Sequence, residues 1–255
     1  MNGFPKDRRE ISLWKKLSWP EASEPPWTLL SAALTVFALF VCLAIIGPAF
    51  ALAATGASAL TPFELMASWA AGMALSIVFV LVSRRVSEVS WRALRLNHGD
   101  LALPLALIIG VAIGLAIDLF INLADGRFLP PPQVWGLQSR GALSLLSAAL
   151  LLVILQPIAD TLVFQAVLLP RLRWRLGPWP GLLATAALYT LLHHLVFFQA
   201  YNFYHIGWHG FAWPMLLSSS FCLVKVYSRS SLATLVARIG AGLVFFLTAL
   251  ALVSG

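Results

Sequence analysis

The chain has 255 residues, of which 60% are hydrophobic and only 11% are charged, and its mean hydropathy is +0.87. Because a soluble domain carries about 25% charged residues, this composition excludes an ordinary soluble protein and indicates a membrane protein. The net charge of +7 requires no nucleic-acid partner, because the basic residues are distributed as membrane topology demands. Cys42 and Cys222 lie in apolar runs without CxxC spacing, so we expect neither a disulfide nor a zinc site.

The chain begins with a polar segment of mixed charge, residues 1–26. This segment lacks the short apolar core and small-residue cleavage site of a signal peptide. We therefore interpret it as a cytoplasmic tail and assign residues 27–255 to a transmembrane helical domain. Within the tail, Ile11–Trp19 is weakly amphipathic and suits the membrane surface, with Trp14 and Trp19 at headgroup level.

Apolar runs of the length that a bilayer requires, about 20 residues, recur along the rest of the chain. They predict an all-α fold, a polytopic bundle of about seven spans. The spans are expected near residues 27–52, 63–83, 101–123, 142–170, 181–199, 208–227 and 231–254. The fourth contains Pro157, which predicts a kink or a break there, so eight shorter pieces are an alternative.

The positive charges fall on alternate loops. Fourteen of the 17 basic residues lie in the tail or in the loops that follow the second, fourth and sixth spans. Only Arg127 and Arg140 lie on the opposite loops, and Arg238 lies inside the last span. Since Lys and Arg concentrate on the cytoplasmic side, we expect the N-terminus inside and the C-terminus outside. The expected location is the bacterial inner membrane.

Ionisable side chains within the spans are candidates for function, because each costs several kcal/mol in hydrocarbon unless it is paired or hydrated. Asp118, near the outer end of its span, is interpreted as a hydrated terminal residue. The others are Asp160 in the fourth span, His193 and His194 in the fifth, and Arg238 in the seventh.

Three of these residues fall in a pattern of motifs. The first is PIADTLVFQAVLLPRL at 157–172, the second is YTLLH at 189–193, and the third is RSSLATLVARIGAG at 229–242. The order and framework of these motifs resemble the CPBP family of intramembrane proteases, which comprises CAAX prenyl endopeptidases and bacteriocin-processing proteins. The resemblance covers roughly residues 142–245 and implies a CPBP-protease-like helix bundle.

The resemblance also implies a catalytic centre, in which two glutamates of the first motif and histidines of the others surround a water that attacks a peptide bond. At the position of the first glutamate this chain has Asp160, and at that of the second it has Thr161. The arginine of the first motif corresponds to Gln165. His193 retains the histidine of the second motif, whereas Arg238 replaces the histidine of the third.

The asparagine of the third motif corresponds to Gly242. These replacements predict a degenerate site, because a protonated guanidinium offers no lone pair to act as a base or metal ligand. We therefore expect Asp160 and Arg238 to form a structural ion pair, with His193 and Gln165 as hydrogen-bond partners. The alternative is that Asp160 faces a hydrated cavity while Arg238 extends to an interface.

Four of the five histidines fall in one stretch, residues 189–210. His205 and His209 are four residues apart and would share a helix face. Together with His193 or His194 they form a weak candidate metal site. The interpretation without a metal places His205 and His209 at headgroup level. A third possibility is ligation of a haem or chlorophyll-type pigment. The sequence requires no cofactor.

Three functions remain open from the sequence. The first is a non-catalytic CPBP-like scaffold or accessory subunit of a larger membrane protein complex, for example an energy-transducing or pigment assembly. Small-residue faces at Ala70–Ser76 and Ser147–Leu152 suit helix association in lipid, whereas the Gly110/Gly114 pair indicates only close packing of helices. The expected partners are membrane lipids and other integral membrane proteins. The second function is an active intramembrane endopeptidase with an altered site, and the third is a transporter.

Overall fold

The computed structural model describes residues 13–19, 21, 23–56, 58–126, 141–197 and 206–254. These residues form helices joined by short loops and contain no strand, which confirms the predicted all-α class. The helices in chain order are α1 Leu13–Leu17, α2 Leu29–Thr55, α3 Pro62–Arg85, α4 Glu88–Ala93, α5 Leu103–Asp125, α6 Ala142–Leu176, α7 Pro178–Phe197, α8 Trp213–Ser228 and α9 Ser231–Ser254.

Within the described part of the chain, six helices are long and apolar enough to cross a membrane: α2, α3, α5, α6, α7 and α9. The predicted sixth span, 208–227, corresponds to α8, whose α-helical part has only 16 residues and follows a π-helical stretch, Ile206–Ala212. At the end of α7, His194 stacks on Phe211 of that stretch with ring centroids 4.4 Å apart. This contact places the start of α8 beside the end of α7, so the two helices run antiparallel.

The loops that carry the arginines meet at one end of the bundle, here called the basic end and defined by Arg84, Arg95, Arg171, Arg173 and Arg229. Two backbone hydrogen bonds join these loops. Asp100 N donates to Ser228 O at 2.9 Å, and Ser231 N donates to Arg95 O at 2.9 Å. The end of α3 contacts the start of α2, since Arg84 Nη2 donates to Thr35 Oγ1 at 2.8 Å. Which side of the membrane this end faces stays a prediction.

Helix α6 carries the first motif and runs without a break through Pro157, so the alternative of eight shorter pieces is wrong. Proline removes one helical hydrogen bond and clashes with the carbonyl four residues earlier. The structure avoids the clash with a π-helical segment, Leu150–Leu155, which widens the turn before the proline. A second π-helical segment, Thr161–Leu168, follows, and all eight of its residues are buried. This half of α6 is therefore at the centre of the bundle.

The small-residue faces pack against other helices of the same chain. A Cβ atom at Gly110 of α5 would overlap the backbone of Ala237 in α9, and one at Gly72 of α3 would lie 2.6 Å from the Cys42 carbonyl oxygen. Ala148 of the Ser147–Leu152 face is fully buried. The Gly110/Gly114 motif therefore permits the close packing of α5 on α9. The faces expected to bind another protein are occupied largely by contacts within this one.

Candidate functional site

Asp160 and Arg238 meet at the centre of the bundle. Asp160 ends a short α-helical turn of α6, and Arg238 lies in α9. Arg238 Nη1 lies 2.9 Å from Asp160 Oδ2, and the two residues are 4% and 2% exposed. Tyr189 of α7 donates its hydroxyl hydrogen to the same oxygen at 3.1 Å. Three helices therefore converge on a single carboxylate.

Gln165 connects the two charged residues through a second pair of hydrogen bonds. With its amide assigned as the neighbouring donors and acceptors require, Nε2 donates to the Asp160 backbone carbonyl at 2.8 Å and Oε1 accepts from Arg238 Nη2 at 3.0 Å. In a π-helix the hydrogen-bonding repeat spans five residues, so residue 165 lies one turn beyond residue 160. The π-helical segment of α6 thus places Gln165 on the same side of the helix as Asp160.

The guanidinium of Arg238 also lies between aromatic rings. Its central carbon is 5.2 Å from the centroid of Tyr189 and 4.7 Å from that of Phe221. Cations at such distances from a ring centroid are attracted to its face. The side chain is thus turned into the bundle, toward Asp160, and does not extend to an interface. We call Asp160, Gln165, Tyr189 and Arg238 the polar cluster.

A small cavity adjoins the polar cluster. Its volume is about 30 Å³, and its walls include Asp160, Arg238, Trp213 and Gly242. A water molecule needs roughly 10–15 Å³ by this kind of measure, so the cavity has room for about two. Binding sites for small molecules are about ten times larger or more. A peptide cannot enter this cavity unless the helices move apart.

Gly242 is one reason why the cavity is small. A Cβ atom built on it would overlap the carbonyl oxygen of Leu152 and lie 3.4 Å from Val153 Cα, both in α6. The asparagine that the family resemblance would place here therefore does not fit between α6 and α9 as they are packed. The glycine lets the two backbones approach where a catalytic side chain was expected.

Thr161 and His193 are the remaining motif positions. Thr161 is buried, with 1% of its surface exposed. His193 is 2% exposed and lies among three rings, with centroid distances of 5.8 Å to Tyr189, 4.5 Å to Phe197 and 4.8 Å to Trp213. His193 therefore adjoins the polar cluster by its contact with the ring of Tyr189, and its environment is predominantly aromatic.

The candidate metal site depends on residues that are largely not described. His205 lies outside the described residues, and so does the side chain of His209. Among the side chains that are described, no group of three His, Cys, Asp or Glu residues is close enough to hold a metal ion. The proposed grouping of His193, His205 and His209 stays a prediction.

Two features were missed by sequence reasoning. Tyr189 was recognised only as the first letter of the second motif, although its spacing of four residues from His193 places both on one helix face. Asp118 was expected to be a hydrated terminal residue, and this expectation is wrong. Asp118 is 4% exposed and accepts a 2.9 Å hydrogen bond from Thr248 Oγ1. Helix α9 covers it, which the sequence of α5 alone does not show.

The fold and the polar cluster define a polytopic membrane helix bundle with an ion pair at its centre. Residues 142–244 match the family model described as Type II CAAX prenyl endopeptidase Rce1-like. This confirms the predicted resemblance to the CPBP proteases, and the matched segment runs from the start of α6 into α9. The match covers less than half of the chain. No curated protein and no solved structure matches the chain.

Proposed function

We propose that this protein is a non-catalytic relative of the CPBP proteases that acts as a scaffold or accessory subunit of a larger membrane protein complex. The ion pair between Asp160 and Arg238 is the observation that carries the proposal. It engages the carboxylate that corresponds to the first catalytic glutamate, and its partner is the residue at the position of a catalytic histidine.

Catalysis by a carboxylate requires a free lone pair within reach of the attacking water. Oδ2 of Asp160 already accepts hydrogen bonds from Arg238 and Tyr189. Arg238 stays protonated and is unable to replace a histidine as a base. An aspartate also places its carboxylate more than about 1 Å short of a glutamate, and a misplacement of that size can cost about a hundredfold in rate.

An accessory role is supported by what the described residues can and cannot offer. The cavity beside Asp160 is too small for a peptide, and the helices that surround it are mostly apolar. Large apolar side chains such as Leu34, Phe50 and Leu247 point outward from the bundle. These surfaces suit lipid or the spans of other membrane proteins. An energy-transducing or pigment assembly is a narrower form of the same proposal.

Gentle purification tests the accessory role. The tagged full-length chain is extracted from native membranes in mild detergent, its co-purifying proteins are identified by mass spectrometry, and a visible absorption spectrum is recorded. We expect a stoichiometric complex with at least one integral membrane protein. A monodisperse protein without partners, obtained at the same salt and detergent concentrations, would contradict the scaffold proposal.

The alternative, an endopeptidase with an altered site, has one observation in its favour: a cavity with room for about two waters touches the Asp160 carboxylate. A cleavage assay on prenylated and hydrophobic peptides separates the two proposals. We expect no cleavage by the wild-type protein. Cleavage that disappears in both Asp160→Asn and His193→Ala, and persists in the surface control Glu88→Gln, would establish the peptidase instead.

A further inference from the structure

The N-terminal segment crosses the basic end of the bundle. Its described residues, 13–19, 21 and 23–28, are here called the strap. Leu17 and Trp27 are 6% and 4% exposed, so the strap is packed against the bundle at two points. Trp14 stacks on Trp179 at the start of α7, with ring centroids 5.0 Å apart. The headgroup-level position expected for Trp14 and Trp19 stays a prediction, and Trp14 is 69% exposed.

Arg173, near the end of α6, holds the first half of the strap. Its guanidinium is 3% exposed. Nη2 donates to the carbonyl of Trp19 at 2.6 Å and to that of Leu17 at 3.4 Å, while Nη1 donates to the carbonyl of Pro178 at 3.0 Å. Two of these three acceptors belong to the strap. When the strap leaves, a buried cation loses most of its partners, so the basic end has to rearrange or admit water.

Two glutamates hold the second half. Glu21 lies 2.7 Å from Arg95, in the loop after α4, and 3.9 Å from Arg173. Glu24 lies 2.6 Å from Arg171 of α6. Glu21 is only 11% exposed, so its pair with Arg95 is shielded from water more than an ordinary surface pair. The strap thereby joins the loop after α4 to the end of α6.

Trp27 extends the contact to the helix that carries the polar cluster. Its indole Nε1 donates to the carbonyl of Val167 at 3.0 Å. Val167 lies in the π-helical segment of α6 that also contains Gln165. π-helical turns are short and less stable than α-helical turns. A hydrogen bond from another part of the chain to one of their carbonyls therefore helps to fix the local geometry. The strap therefore reaches, through one bond, the segment that positions the polar cluster.

We propose that the strap is a closing device: while it is docked, the ends of α6, α7 and α8 stay together beneath it, and its release opens the route to the buried interior. Cys222 of α8 reports this state. It is 0% exposed and packs with Leu169 of α6 and Leu182 of α7, so a reagent reaches its thiol only when these helices separate.

The test is the rate at which a maleimide labels Cys222 in full-length protein carrying Cys42→Ala, in mild detergent. Glu21→Gln/Glu24→Gln removes the ion pairs, and Trp27→Phe keeps a ring but removes the bond to Val167. Glu88→Gln is the matched control, because Glu88 is 87% exposed and, among the described residues, pairs with Arg92 of its own helix. We expect both strap variants to be labelled at least fivefold faster and the control to be unchanged.

The wild-type strap offers a second measurement that needs no variant in the strap. Rising NaCl concentration screens the Arg–Glu pairs, so labelling of Cys222 in the Cys42→Ala protein should accelerate relative to a free-thiol peptide. Tryptic cleavage at Lys15 reports release of the strap itself. Faster cleavage at Lys15 with unchanged labelling of Cys222 would overturn the closing role, and so would a lack of change in both readouts.

Discussion

Arg238 of α9 and Asp160 of α6 form an ion pair at 2.9 Å in the interior of the bundle, at two positions where the related proteases are expected to carry a histidine and a glutamate. The pair neutralises two opposite charges within the bundle interior. Its expected role is to hold α6 and α9 in register.

The first prediction concerns the ion pair itself. Asp160→Asn and Arg238→Gln each leave one buried charge without its counterpart. We expect each to lower the free energy of unfolding by about 3–5 kcal/mol. The measurement is the unfolding midpoint of purified protein in detergent, followed by circular dichroism.

The double variant provides the control for this prediction. Asp160→Asn/Arg238→Gln removes both charges and should be more stable than either single variant. Reversal of the pair, Asp160→Arg/Arg238→Asp, should also fold better than Asp160→Arg or Arg238→Asp alone. If the doubles are no better than the singles, the two residues do not stabilise the protein as a pair.

The second prediction restores a family residue. Gly242→Asn introduces a side chain where even a Cβ atom would overlap the Leu152 carbonyl. We expect a loss of about 1–3 kcal/mol in stability and no gain of peptidase activity. Gly207→Asn is the matched control, since a Cβ atom at Gly207 has no neighbour within 4 Å among the described residues. Equal stability of the two variants would show that α6 and α9 are not in close contact at Gly242.

The third prediction tests the contact between α5 and α9. Gly110→Ala places a methyl group against the backbone of Ala237, whereas at Gly114 the nearest atom, Ala241 Cα, is 3.0 Å from the added carbon. We expect Gly110→Ala to destabilise the protein by about 1–3 kcal/mol and Gly114→Ala by less. Thermal unfolding in one detergent gives both values. The reverse order would argue against the observed packing of the two helices.

The fourth prediction concerns Asp118, which accepts a hydrogen bond from Thr248. Thr248→Val keeps the shape of the side chain but removes the donor, and we expect a cost of about 1 kcal/mol because a buried acceptor loses a partner. Thr248→Ser keeps the hydroxyl and serves as the control. Equal unfolding midpoints for the two variants would show that the hydroxyl contributes nothing at this position.

Much of the fold was predictable because the length of an apolar run can be read directly from one stretch of the sequence. Each long apolar run became a helix, and the resemblance predicted from the motifs was confirmed for the segment from α6 into α9. The boundaries were less well predicted: the fourth span was expected to end near residue 170, but α6 continues to Leu176. Pro157 was expected to kink or break the helix, but the helix continues through it, with π-helical turns on either side that leave no clear signal in the sequence. The kink stays a prediction.

The candidate site, like the fold, was predictable from the sequence only in part. The residue types at the motif positions predicted which chemistry is missing, since a threonine, a glutamine and a glycine supply neither a base nor a metal ligand. The tertiary structure added Tyr189 as a donor to Asp160, the packing of Gly242 on Leu152 and the burial of Asp118 under α9. None of these contacts is local in sequence.

The sequence by itself determined that this protein lies in a membrane and that it is helical, and it predicted that its protease-like motifs lack most of the catalytic groups that the family resemblance implies. These properties follow from composition, from the length of apolar runs and from the identity of single residues. Only the tertiary structure decided which polar groups meet, how small the space beside them is, and that the N-terminal segment docks on the basic end. Those outcomes depend on how helices distant in the chain pack, and packing is decided by the shapes of both partners together.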